Sequence, residues 1–311
     1  MPVLKSVLDA IGHTPLVALD RAYEGPGRLL AKLEFVQPGG SVKDRAALAI
    51  VRRALERGDL LPGQGVVEMT SGNMGAGLAV VCAVLGHEFT AVMSSGNSSA
   101  RVAMLRGLGA HVELVPQVDG LPGQVTGADI GAASARAREL AHERGWYLVD
   151  QFHNPGSVLA HEEGTGPELW RGTEGRLDAF VALVGSGGTF VGTSRFLKRA
   201  APHVLCVAVE PAGAEVLAGR AVTKPRHLLQ GTGYGSVPPK WDADLADAFV
   251  AVTDEEALEW RERLARREGL FVGFSAAANV CAAVKLLRGG RLREDACVAT
   301  VLCDTGLKYV D

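Results

Sequence analysis

Long apolar runs are missing from this 311-residue chain. The longest uninterrupted ones, such as Ala79 to Leu85, fall far short of the ~20 residues that span a bilayer. A membrane protein is therefore not expected. Charge of one sign is missing too. Thirty-two Lys and Arg stand against 35 Asp and Glu, for a net charge of −3, with no basic run. That balance argues against a nucleic-acid surface. Aromatic residues make up only 5% of the chain. The N-terminus, Met1-Pro2-Val3-Leu4-Lys5, lacks the n-region, h-region and cleavage site of a signal peptide. The five cysteines (Cys82, Cys206, Cys281, Cys297, Cys303) are odd in number, form no C-x-x-C and sit in apolar stretches. They read as buried free thiols, and the expected compartment is the reducing cytoplasm.

Glycine is what the chain has in excess: 39 of 311 residues, against a usual share of about 7%. The glycines alternate with apolar segments and form no low-complexity tract, so they read as tight turns and close backbone approaches. Apolar residues make up 47%, as in ordinary globular proteins. The length allows about two domains and a sizeable core.

The dominant rhythm is β-branched strand, Gly-rich turn, helix. Strands are expected at Val66–Met69, Phe89–Met93, His111–Val115, Ala179–Val184, Val204–Glu210 and Cys297–Leu302. Helices are expected at Met74–Leu85, Ala100–Leu108, Ala128–Arg144, Phe190–Ala200, Asp254–Glu268 and Ala276–Leu287. This alternation predicts an α/β protein with mostly parallel sheets flanked by helices. A boundary is expected near residues 145–155.

Ser41-Val42-Lys43-Asp44 fits the S-x-x-[DE] capping box. Ala47, Ile50, Val51, Ala54 and Leu55 then mark one apolar face of a helix. Lys43 thus falls in a first helical turn, where the positive end of the helix dipole disfavours an ammonium. A neutral amine is what Schiff-base chemistry needs, although position alone also fits a solvated lysine. Gly185-Ser186-Gly187-Gly188-Thr189 joins a strand to a helix and suits a phosphate cup. A plain tight turn fits as well. So does a dinucleotide site with Glu210 as its acid, weakened by Phe190 at the last position of G-x-G-x-x-G. Thr70-Ser71-Gly72-Asn73-Met74-Gly75 offers hydroxyls, an amide and backbone N–H groups. It could hold a carboxylate, or simply cap a helix.

In order and spacing, P-G-G-S-V-K-D-R (Pro38 to Arg45), T-S-G-N-M-G (Thr70 to Gly75) and G-S-G-G-T (Gly185 to Thr189) resemble the cysteine synthase and cystathionine β-synthase family of pyridoxal-phosphate enzymes. The resemblance covers nearly the whole chain. It runs from Ile11-Gly12-His13-Thr14-Pro15-Leu16 through Gln151-Phe152-His153-Asn154-Pro155, Thr165-Gly166-Pro167-Glu168 and Val209-Glu210-Pro211. It ends at Val272-Gly273-Phe274-Ser275 and Asp304-Thr305-Gly306.

The resemblance implies a fold type II enzyme of two domains. The larger would take residues 1–36 plus 148–311, and a smaller mobile one residues 37–147, with the cofactor between them. It implies pyridoxal 5'-phosphate as cofactor, no metal, and a Schiff base on Lys43, which later moves the Cα proton. Gly185, Ser186, Gly187, Gly188 and Thr189 would bind the phosphate, Asn73 the ring hydroxyl, and Ser275 would face the ring nitrogen. Thr70, Ser71, Gly72, Asn73, Met74 and Gln151 would form the substrate site, most of them on the carboxylate. The implied reaction is β-replacement on an O-activated L-serine through an aminoacrylate, with O-acetyl-L-serine and sulfide giving L-cysteine. Another donor such as O-phosphoserine, or an amine or other thiol nucleophile, is the alternative. A nicotinamide-dependent oxidoreductase is the remote one. Expected partners are a small amino-acid substrate and a small nucleophile, a second copy in a homodimer, and at the margin an acetyltransferase tail.

Three departures from the family pattern stand out. Met74 replaces the second threonine of T-S-G-N-T-G. The usual M-P-E-x-x-S-x-E-R segment reads Met93 to Arg101 with small, non-acidic residues. His153 stands where relatives often carry Glu, Asn or Asp, and reads as a supporting residue or, less simply, a proton relay.

Overall fold

The computed structural model describes residues 3–310. The chain runs through β1 (Leu16–Ala18), β2 (Arg28–Leu33), α1 (Lys43–Arg57), β3 (Val66–Met69), α2 (Asn73–Leu85), β4 (Phe89–Ser94), α3 (Ser99–Gly107) and β5 (His111–Val115). It continues with α4 (Gly127–Arg144), β6 (Tyr147–Leu148), α5 (Gly156–Ala160), a π-helical stretch (His161–Thr165), α6 (Gly166–Gly172) and β7 (Ala179–Leu183). It ends with α7 (Gly188–Ala200), β8 (Leu205–Pro211), β9 (Ala248–Val252), α8 (Asp254–Glu268), α9 (Phe274–Arg288) and β10 (Cys297–Leu302). The expected α/β architecture is present, with element ends displaced by a residue or two.

Among the described residues the chain divides into two compact units. One holds residues 3–11 and 37–157, the other 12–36 and 158–310. The first is built on a parallel sheet of order β5-β4-β3-β6. Tyr147 and Leu148 pair with Val66 and Val67, so the chain stays in this unit past the expected limit at 147. Val66, Phe89, Ala91 and Met93 pack on one face with residues of α1 and α2. Val67 and Val92 pack on the other with Ala133, Ala137 and Leu140 of α4.

The second unit carries the sheet β1-β2-β10-β7-β8-β9, antiparallel only between β1 and β2. Val181 and Leu183 belong to one core cluster, with α9, and Phe180 and Ala182 to the other, with α7. Burial on both faces is why these strands read as continuous apolar runs. Among the described residues no helix is long and apolar enough to cross a membrane. All five cysteines are free. Four are buried and Cys303 is half-buried, so the expectation of burial needs that one correction.

Two sequence motifs prove to be scaffold. A buried ion pair joins Lys32 Nζ to Glu168 Oε2 at 2.7 Å. Lys32 Nζ also donates to Thr14 O, the Thr14 hydroxyl donates to Glu34, and the His13 N–H donates to Glu168. The segments Ile11–Leu16 and Thr165–Glu168 thereby meet in one satisfied polar network, the condition for burying charge at tolerable cost.

Candidate active site

Lys43 is the first residue of α1 and is half-buried. The turn before it differs from the expected capping box. Val42 is already helical, with φ −55° and ψ −20°. Ser41 Oγ accepts from the Lys43 N–H at 3.2 Å, and the Asp44 carboxylate accepts from the Gly39 N–H. The early helical turn carries Asp44 past Ser41, so its carboxylate reaches back across Pro38-Gly39-Gly40. Gln37 Nε2 closes the same turn on Ser41 O at 3.1 Å. The lysine thus stands on a backbone fixed from both sides.

The second loop sits between β3 and α2. Thr70 Oγ1 accepts from the Gly72 N–H at 3.4 Å and the Gly75 N–H at 3.1 Å, which caps α2 and leaves the hydroxyl proton to donate. Ser71 Oγ accepts from Arg101 Nη1 at 3.2 Å. Gly72 and Asn73 are half-buried. Met74 is only 3% exposed and belongs to the apolar cluster with Ile50 and Leu78. Gly77 brings the two loops together: a methyl there would lie 3.2 Å from Lys43 O and 3.2 Å from Asp44 Cα. A side chain there would press on the first turn of α1, so glycine suits this close approach.

Gln151 follows β6. Its Nε2 donates to Glu68 Oε1 at 3.0 Å and lies 3.4 Å from Met69 O. Asp150 holds φ +48°, and His153 Nδ1 lies 2.9 Å from its carboxylate in an exposed pair. Asn154 fixes the turn, donating to Val149 O and accepting from the Gly156 N–H. Lys43, the Thr70–Gly75 loop and Gln151 all lie in the first unit.

The second unit carries the remaining residues. Gly185–Thr189 runs from β7 into α7, a helix of 13 residues. Gly187 has φ +90°, which turns the backbone so that successive N–H groups open the helix. A Cβ on Gly185 would fall on the Gly231 carbonyl oxygen. Ser186 and Thr189 are half-buried hydroxyls. Ser275 stands in the first turn of α9, also half-buried. Its turn is pinned by the Gly273 N–H to Asp304 O bond of 3.0 Å, with Asp304 Oδ2 accepting from Tyr309 Oη.

Sequence reasoning missed three supports. Buried His161 joins Thr165 Oγ1 at 2.9 Å to Thr189 Oγ1 at 3.2 Å. Asn279 accepts from the Leu183 N–H and donates to Val301 O, locking α9 to β7 and β10. Glu68 backs Gln151. Only a polar residue inside an apolar run marks Glu68 and Asn279 in the sequence, and the π-helical stretch that carries His161 has no periodic signature. Replacing His161 by Ala should free Thr189 and weaken cofactor retention about fivefold, the worth of one hydrogen bond near 1 kcal/mol. Dialysis followed by absorbance reads this, with partial rescue expected from His161→Asn. Unchanged retention would give Thr189 its orientation from elsewhere.

A glycine-lined helix N-terminus fits a phosphate monoester, a half-buried amine fits an aldehyde, and a neutral hydroxyl on a helix turn fits a pyridine nitrogen. The acid of the dinucleotide alternative is committed elsewhere: both Glu210 oxygens accept backbone N–H groups, from Leu217 and Ala218.

Comparison with known proteins agrees with this chemistry. The profile of a family described as pyridoxal-phosphate dependent enzyme matches residues 7–304. A cysteine synthase of Staphylococcus aureus is 36% identical over 307 residues, covering 98% of this chain and 95% of the relative. Cysteine synthase A of Escherichia coli is 40% identical over 282 residues, covering 89% and 84%. Among solved structures, an O-ureido-L-serine synthase superposes with a TM-score of 0.89 at 38% identity, covering 99% of this chain and 94% of the other.

Proposed function

The chain belongs to the pyridoxal-phosphate dependent enzymes, and from that premise we propose that it makes L-cysteine from O-acetyl-L-serine and sulfide. It is a fold type II enzyme of β-replacement and depends on pyridoxal 5'-phosphate. The choice of acetylserine and sulfide is supported by the likeness to two bacterial cysteine synthases over most of their length. The observation that carries the reading is the approach at Gly77. It holds the Lys43 turn against the helix that begins with the Thr70–Gly75 loop, so amine and carboxylate loop share one rigid support.

When bound, the cofactor supplies an electron sink for negative charge at Cα. Lys43 anchors it and moves the Cα proton with its Nζ. Thr70, Ser71, Asn73 and Gln151 hold the substrate carboxylate, and Gly185 to Thr189 hold the phosphate. The Ser275 hydroxyl would face the ring nitrogen and, being neutral, would not favour its protonation. Charge at Cα is then expelled quickly as the β-substituent leaves, ahead of racemisation or transamination. Acetate would depart from Cβ with the electron pair of the C–O bond, hydrosulfide would form the C–S bond there, and Lys43 would return the proton to Cα.

Addition of O-acetyl-L-serine to the holoenzyme should shift the visible cofactor band to longer wavelength, and sulfide should return it. A band that stays put would move the assignment to another serine donor. The second reading keeps the chemistry and changes the nucleophile. It is favoured by the likeness to an O-ureido-L-serine synthase and by the small-residue segment from Met93 to Arg101, whose arginine grips Ser71. A panel of nucleophiles with product mass analysis separates the two.

A further inference from the structure

Glu68 is a buried carboxyl, 2% exposed, on the central strand β3. Alternation places it on the Val66 face of the sheet, the side on which the apolar cluster with residues of α1 and α2 is packed. Its Oε1 accepts from Gln151 Nε2 at 3.0 Å, and the same NH2 group lies 3.4 Å from Met69 O. Its Oε2 is buried without a hydrogen-bond partner. In this arrangement the donor end of the Gln151 amide faces inward, whereas a substrate carboxylate needs a donor facing outward.

We propose that Glu68 is a positioning residue that decides which end of the Gln151 amide meets the substrate carboxylate. This rests on the reading of Gln151 as a carboxylate ligand. An ionised Glu68 can only accept, so it holds the NH2 group inward and leaves the amide oxygen outward, against a carboxylate. A proton on Glu68 Oε1, the oxygen 3.0 Å from the amide, needs an acceptor. Turning the amide end for end supplies Gln151 Oε1 and sends the NH2 group outward as a donor.

The surroundings favour the protonated form. Burial pushes Glu68 up to about 8, against the hydrogen bonds from Gln151, with the Asp150 charge acting in the same direction as burial. Asp150, paired with His153, and Tyr147 on β6 are the titratable groups around it. Across the ladder on β4 stands Ala91, and beyond β6 Val149. Helix α2 carries Cys82 alone, its thiol pushed up to about 12 by burial. Helix α1 carries Lys43, Asp44 and Arg45 in its first turn. On the opposite face α4 carries Arg136, bound to Glu113.

The test is calorimetric binding of propionate to the holoenzyme. Propionate stays ionised between about pH 7 and 9.5 and has no amine to titrate. Wild-type affinity should fall roughly tenfold over that range, one charge-assisted hydrogen bond, with a midpoint near the Glu68 value. Glu68→Gln, whose amide serves either orientation, should change less than about twofold. Gln151→Ala should bind weakly at both ends of the range. A flat wild-type profile beside a weak Gln151→Ala would overturn the role of Glu68 alone, as would a Glu68→Gln profile that keeps the pH dependence. Full affinity in Gln151→Ala would overturn the ligand reading of Gln151 and this proposal with it. None of these outcomes depends on which donor or nucleophile the enzyme uses.

Discussion

Lys43→Ala should lower turnover by about 10³-fold or more, because on the proposed reading it removes both the covalent anchor and the group that moves the Cα proton. The protein should still fold. Lys43 occupies the first position of α1, where alanine is a better helix former and loss of a cation at the positive helix end costs nothing. The apolar face of α1, with Ala47, Ile50, Val51 and Ala54 buried, is untouched. Thermal melting should therefore move by no more than a degree or two while activity disappears. The Gly185–Thr189 loop, proposed to hold the phosphate, lies in the other unit and is unaltered, so the cofactor should bind, now as the free aldehyde and with the corresponding absorbance. Retained turnover would remove Lys43 from the chemistry.

Gly185→Ala should cost nearly as much by a different route. The added methyl falls on the Gly231 carbonyl oxygen, which is backbone and cannot rotate away. Either the Gly185–Thr189 turn shifts or the loop at Gly231 does. Overpacking of this kind typically costs about 1–3 kcal/mol of stability. A turn displaced by even part of an ångström also misaims the N–H groups that open α7. Cofactor affinity should fall by about 100-fold, the loss of two well-aimed charge-assisted hydrogen bonds. A titration of the cofactor-free protein by absorbance measures this. An alanine variant that binds the cofactor as tightly as the wild type would show that the loop at Gly231 yields at no cost and that the phosphate is held elsewhere. Spectra separate the two substitutions: Lys43→Ala loses the chemistry and keeps the cofactor, and Gly185→Ala loses the cofactor.

Much of the frame is local and was open to reading. The strands at Val66, Phe89, His111 and Cys297 and the helices from Asn73 and Asp254 follow from periodicity and Gly punctuation, which neighbours along the chain decide. Two of the elements that sequence reasoning passed over lack such a signal. β6 has two residues and exists because β3 offers it a ladder. β2 carries Lys32 next to its last residue, a polar interruption that makes sense only once Glu168 is beside it. At Ser41 a correct motif led to the wrong bonds, because the chain turns helical at Val42 and Asp44 finds Gly39 instead.

The sequence by itself determined the family, the α/β class, Lys43 at a helix start and the two loops at strand-to-helix turns. Those properties reside in residue type and short spacing, and a dozen consecutive residues are enough to express them. The tertiary structure alone decided who supports whom. Glu68 meets Gln151 across 83 positions, and Asn279 meets Leu183 across 96. Met74, which reads as a substrate contact, is packed beneath its loop in the apolar cluster. Burial and hydrogen-bond pairing belong to the packed interior, where a carboxyl is pushed up or satisfied according to neighbours that the linear order does not name.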